Sequence, residues 1–249
     1  MTALTDPPAL PAERNTEHGD TDTPAGNIPQ QSYRTSRNRA FVTWIEQICV
    51  QDAGARAALR SGLRKDIDSV PRMHRLVAPW LPENNLSGDT ARAYYATAAM
   101  IASQPRNAPT NRDTDRPDDS TKRKERAVGQ YGTSLGATFA AAVADGPGRE
   151  KQMRAGPAES RLNLLTRQSV SGLHRHLPAS VGYLRSLSVP VDWVQLLDDL
   201  SNWRKHSGQI TRRWLQDFYR LSEQHAQKQA DTADQQELTD PAPPPAETT

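Results

Sequence analysis

Apolar residues in this chain return every three or four positions from residue 41 to residue 221, and no convincing run alternates apolar with polar. Phe41, Trp44, Ile45, Ile48 and Cys49 share one stripe, which predicts a helix over 37–51. Asp52 caps a short helix over 55–63, and Pro71 opens another that Pro79 ends at residue 78. Asp89 or Thr90 caps a fourth, carrying Ala91, Tyr94, Tyr95, Ala98 and Ile101 on one face until Pro105 stops it. Small residues make a helix over 134–144, Pro157 opens a helix with Leu162 and Leu165, and 170–187 holds another with a kink at Pro178. Asp192 caps a helix striped by Trp193, Leu196, Leu197, Leu200 and Trp203, and the last places Ile210, Trp214, Phe218 and Leu221 together. The expected fold is all-α: two packed helical bundles, residues 33–105 and 131–225, joined across a long loop at 106–130.

Composition separates the ends from the middle. Only 35% of the 249 residues are hydrophobic, below the share of an ordinary globular chain. Residues 1–32 hold Asp6, Glu13, Glu17, Asp20 and Asp22 against Arg14, and residues 226–249 hold Asp231, Asp234, Glu237, Asp240 and Glu247 against Lys228. Each segment is Pro-rich and carries −4, and neither has the apolar surface to offset ordering, so both read as disordered acidic tails. Because the whole chain is only +2, removing those eight negative charges leaves +10 on residues 33–225. A helical body of that charge invites a polyanion.

Several chemistries are excluded at this level. A single cysteine forms no intramolecular disulfide, and no Cys/His cluster has zinc spacing. The longest apolar stretches, 96–102 and 136–144, fall short of the roughly 20 residues a bilayer demands. The N-terminus lacks the basic start and apolar run of a secretory signal, so the expectation is a soluble, cytoplasmic protein with no membrane partner. His174 and His176 are two apart in a helix and do not share a face. The Gly129–Gly136 region precedes a helix but lacks the Lys-Ser/Thr of a phosphate loop, leaving at most a backbone-amide contact to one phosphate. Asp198 and Asp199 lie off the apolar stripe and read as solvated surface, Cys49 reads as core, and the tryptophans read as packing rather than base-stacking residues. No catalytic centre and no cofactor motif emerges.

What remains is arginine. Arg60, Arg64, Arg72, Arg75, Arg92, Arg161, Arg167, Arg175, Arg185, Arg204, Arg212 and Arg213 mostly avoid the stripes and must line surfaces. Some pair with carboxylates, but the net charge leaves a basic stripe for nucleic acid. The run Lys122-Arg123-Lys124-Glu125-Arg126 has two readings, a solvated loop or a mobile arm that meets phosphate.

The order of several segments resembles CasB, the small helical subunit of the type I-E CRISPR surveillance complex, Cascade. The likeness runs from Leu59-Arg60 through Leu63-Arg64 to Pro71-Arg72-Met73-His74-Arg75-Leu76-Val77-Ala78-Pro79, then the 91–102 helix and Gly132-Thr133-Ser134-Leu135-Gly136. It continues from Glu159-Ser160-Arg161-Leu162 through Pro190-Val191-Asp192-Trp193 and 196–203 to Trp214-Leu215-Gln216-Asp217-Phe218. The resemblance implies a non-catalytic two-bundle protein, present as two copies among backbone and large subunits, and contacting guide RNA and target DNA, especially the displaced strand. Carried onto this chain, it makes Arg60, Arg75, Arg92, Arg161, Arg204 and Lys205 the candidate nucleic-acid contacts, with His206 weaker. Arg64, Arg72, Arg167, Lys122, Arg123 and Lys124 are possible additions. The chain departs from the family pattern at Ala137, where relatives often carry a base, and its loop and tails are longer. Two other readings stand beside this one: a helical adaptor that touches nucleic acid incidentally, and a DNA-binding regulator, for which no helix-turn-helix pair is evident.

Overall fold

The computed structural model describes residues 28–82, 88–105, 132–144 and 152–239, with side chains described from 33 to 235. Among them the chain is all-α: α1 (Ile28–Gln51), α2 (Ala53–Arg60), α3 (Pro71–Val77), α4 (Gly88–Ala102), α5 (Leu135–Val143), α6 (Ala155–Thr166), α7 (Val170–Ser186) and α8 (Trp193–Thr239). Short 3₁₀ turns at Ile67–Ser69 and Ala78–Trp80 flank α3. The expected loop at 106–130, with Lys122, Arg123 and Lys124, lies outside the described residues, as do 1–27 and 240–249 of the acidic tails.

Local signals set most boundaries. Asp52 accepts from the amides of Gly54 (2.7 Å) and Ala55 (2.9 Å), and Ser134 and Ser169 cap α5 and α7 by accepting from Ala137 and Gly172 (both 3.2 Å). Helix α2 stops at Arg60 rather than residue 63. A Cβ on Gly62 would lie 2.1 Å from Met73 Sδ, and Arg64 takes a left-handed φ of 62°, so the chain turns there against α3. Two tail boundaries are corrected. Helix α1 begins at Ile28, with Pro29 tolerated in its first turn, and α8 runs on to Thr239. Residues 226–239 are rich in Ala and Gln and contain no proline, so extending an existing helix through them is easy.

Helix α8 is bent. His206 leaves the helical region at φ −130°, ψ 22°. In a straight helix residues 199 and 214 would stand about 22 Å apart along the axis, yet Trp214 Nε1 donates to Asp199 Oδ2 at 2.7 Å and the Trp203 and Trp214 rings lie 5.1 Å apart. The two limbs therefore turn toward each other, which agrees with the two separate stripes expected on either side of the bend.

The buried residues form one continuous core, with α8 packed on α4, α5 and α1. All five tryptophans are in it, as expected from their stripes. Phe41, Trp44, Trp80 and Tyr94 form an aromatic cluster with centroid separations of 4.7–5.8 Å. Helix α5 approaches the second limb of α8 so closely that a Cβ on Gly136 would sit 1.7 Å from the Trp214 carbonyl oxygen. Glycine is the one residue that fits that crossing.

Candidate nucleic-acid interface

The 61–67 turn, α4 and α7 enclose a cleft of about 320 Å³ whose walls carry Arg64, Lys65, Arg92 and Arg175 against the single carboxylate of Asp66. The left-handed turn at Arg64 directs it and Lys65 there, α4 contributes Arg92 from its second turn, and α7 contributes Arg175. The floor is apolar, with Ile67, Val70, Met73 and Pro178. His174 also lines it, its Nδ1 buried without a hydrogen-bond partner, and burial together with Arg92 pushes its pKa down to about 4.

Charge alternates along the rim. Arg92 Nη2 donates to Asp66 Oδ2 at 2.7 Å and Nη1 to Ser171 Oγ at 3.3 Å. One turn earlier on α4, Asp89 accepts from Arg204 through both Nε and Nη2, the latter at 3.0 Å. Arg204, at the bend of α8, remains 70% exposed despite the pair. The arginine hydrogen bonds hold the Asp66 and Asp89 carboxyls below their ordinary range, so both stay ionised near neutral pH. Asp89 lies within α4 rather than capping it, which corrects the expectation that it serves as a helix cap.

Of the residues expected to meet nucleic acid, the structure gathers Arg64 and Arg92 in this cleft and ties Arg204 to it through Asp89. Arg60, Arg72, Arg75, Arg167 and Lys205 are exposed on α2, α3, the end of α6 and α8, outside the cleft. Arg161 stands apart on α6, its guanidinium 4.8 Å from the centroid of Tyr183 on α7. Arg185 is buried, donating to Gln104 Oε1 at 2.7 Å and to the Val189 carbonyl at 3.1 Å, so it serves the core. Lys65 was missed, although it directly follows Arg64 in sequence.

Other expectations resolve here. The amides of Gly132 and Thr133 donate to the Asp192 carboxylate, Thr133 at 3.1 Å, so these two amides of the turn before α5 are taken by the fold. Asp192 also caps α8 by accepting from Gln195 N at 2.9 Å. Asp199 is 2% exposed rather than solvated, bonded by Trp214, Gln195 and Arg213. Its flank of the helix faces the second limb of α8, which the stripe on its own limb does not reveal. Burial pushes the Cys49 thiol up to about 11, leaving it a poor nucleophile. Among the described residues no three His, Cys, Asp or Glu groups are placed to hold a metal, and no helix is long and apolar enough to cross a membrane.

Among the described residues, these features make up an all-α protein with several exposed arginines, and with Arg64, Arg92 and Arg175 lining one cleft beside Lys65. The sequence model of the CRISPR-associated protein Cse2 family matches residues 55–219, and the chain belongs to that family. Its fold matches a chain of a CRISPR RNA-guided surveillance complex at 37% identity and a TM-score of 0.62, covering 80% of this chain and 99% of that one. The CasB proteins of Thermus thermophilus and M. ruber share the fold at 22% and 21% identity. Their TM-scores are 0.52 and 0.56, with 73% and 77% of this chain and 97% of each of theirs covered. No curated protein sequence matches the chain.

Proposed function

We propose that this chain is a non-catalytic small subunit of a cytoplasmic CRISPR RNA-guided surveillance complex, where its arginine face holds nucleic-acid phosphates. The observation that carries the reading is the cleft that gathers Arg64, Lys65, Arg92 and Arg175 beside Arg204, in a family whose solved relatives include a surveillance-complex chain. Arginine suits phosphate because its planar fork engages two oxygens at once. Guide–target pairing replaces DNA pairing at nearly equal free energy, so contacts to the displaced strand tip the exchange. Such contacts read no bases. Three or four phosphate contacts per copy make log K fall by roughly 2 to 3 per tenfold rise in salt on single strands. An isolated subunit then binds weakly near physiological salt, and attachment to backbone and large subunits, beside a second copy, raises its effective concentration on guide RNA and target DNA.

One observation favours a second reading, a structural adaptor: Arg92 and Arg204 are already paired with Asp66 and Asp89. Fluorescence anisotropy of a single-stranded DNA 30-mer, titrated with salt, separates the two. The nucleic-acid reading expects weak, salt-steep, base-indifferent binding that Arg64→Glu/Arg175→Glu abolishes. The adaptor reading expects no binding at low salt.

A further inference from the structure

The two ion pairs on the cleft rim form a chain. Arg204 on α8 holds Asp89 on α4, and one turn along α4 Arg92 holds Asp66 in the 3₁₀ turn. His174 feels the field of Arg92, Asp89 and Asp66 together, so the two pairs belong to one electrostatic cluster. Asp89 takes the guanidinium of Arg204 through two nitrogens, the bidentate geometry arginine offers to a phosphate or carboxylate, and Asp66 takes one nitrogen of Arg92. Asp66 is 61% exposed and Arg204 is 70% exposed, against 27% for Arg92 and 15% for Asp89, so each pair presents one partner to solvent.

Resting on the nucleic-acid reading above, we propose that Asp66 and Asp89 are resident competitors of the phosphodiester backbone, and that a single strand enters this cleft by displacing them from Arg92 and Arg204. The carboxylates keep the arginines occupied when no strand is present and weaken casual association with polyanions. A backbone held close by the rest of the assembly overcomes them by its local concentration. The exchange is symmetrical in charge, since one oxyanion replaces another on the same guanidinium. The site therefore selects for proximity of the strand, not for its sequence.

The test compares the full chain with Asp66→Asn/Asp89→Asn, and with Asp68→Asn as a control for loss of one carboxylate charge beside Asp66. Asp68 is exposed in the same 3₁₀ turn and forms no ion pair among the described residues. Asparagine preserves the Asp66 side-chain oxygen that accepts from Ile67 N, and circular dichroism melts verify that each variant is folded. Binding of an oligo-dT 30-mer is followed by anisotropy between low and moderate salt. An exposed ion pair is worth up to about fivefold in an equilibrium constant. The double variant is therefore expected to bind about tenfold more tightly. Its salt slope should stay close to that of the wild type, because the same arginines meet phosphate in both and only the competing carboxylates are gone. Asp68→Asn is expected to change affinity less than twofold. Unchanged or weaker binding by the double variant, or an equal gain from Asp68→Asn, overturns the proposal and leaves the nucleic-acid reading standing. Absence of binding by every folded protein at low salt overturns both.

Discussion

At the junction of α5 with the two limbs of α8, Asp192 and Asp199 are each 2% exposed, and their acceptors are filled by backbone amides, an indole N–H, a glutamine amide and one arginine. On the rim of the α4–α7 cleft, Asp66 and Asp89 are held chiefly by arginines that remain in contact with solvent. The two regions use the same residue type for different ends. In the junction the carboxylate is itself shut from solvent, and removing it leaves buried donors unpaired. On the rim the arginine partner exchanges with solvent or with any other oxyanion, so the carboxylate contributes little to stability. Burial decides whether an aspartate here is a structural clamp or a removable counter-ion.

The sharpest break of the junction is Gly136→Ala. A methyl group there meets the Trp214 carbonyl oxygen at 1.7 Å and its carbon at 2.5 Å, both backbone atoms that cannot rotate aside. Alanine improves helix propensity by about 1 kcal/mol, but overpacking of this severity costs about 3 kcal/mol or more, so the clash wins. Chemical denaturation should show that loss, and a variant as stable as wild type would mean that α5 does not cross α8 so closely.

Acid distinguishes the regions next. His174 in the cleft wall is partly buried and neutral, with its pKa pushed down to about 4, whereas the unfolded chain protonates it near the ordinary histidine value. Its contribution is complete above about pH 6.5 and is lost as pH falls, by up to about 3 kcal/mol at pH 4. Asp192 in the junction, pushed up to about 7 by burial, works in the opposite sense. The fold retains a proton that the unfolded chain has released, so this contribution declines as pH rises from about 4 through 7. In thermal melts from pH 4 to 8, His174→Gln should flatten the acid side and Asp192→Asn the neutral side. Superimposable profiles for the two variants would remove the contrast.

Truncation of matched carboxylates gives the smallest separation. Asp199→Ala strands Trp214 Nε1 and the Gln195 amide and should cost about 2 kcal/mol, while Asp66→Ala should cost under about 1 kcal/mol. Equal losses in urea denaturation would show that burial does not divide the two sites.

Much of the helical layout was legible in sequence, because each element carries its own stripe and several carry their own cap: Asp52, Ser134, Ser169 and Asp192 act within three residues of themselves. The tail boundaries were less legible, since a polar Ala/Gln-rich stretch has no stripe yet extends a helix already formed. The candidate site was legible as chemistry but not as place. Arginine excess pointed to a polyanion, and Arg64, Arg92 and Arg204 did come together. Their companions depended on pairings remote in sequence: Asp89 with Arg204, Asp199 with Trp214, and Arg161 over Tyr183. No local period encodes those. Lys65 lines the cleft directly after Arg64, whose left-handed backbone no sequence signal announced.

The most direct test of the central claim is the lifetime of the displaced strand inside the assembled complex. A surveillance complex is reconstituted with the wild-type chain or with Arg64→Gln/Arg92→Gln/Arg204→Gln, bound to target duplex, and followed by permanganate reactivity of displaced-strand thymines and by R-loop dissociation. With three phosphate contacts removed from a nearly balanced exchange, the variant should assemble normally while its R-loop dissociates about tenfold faster and its displaced thymines gain reactivity. Normal assembly with an unchanged lifetime and unchanged reactivity would contradict the account and make the cleft a bystander of an adaptor.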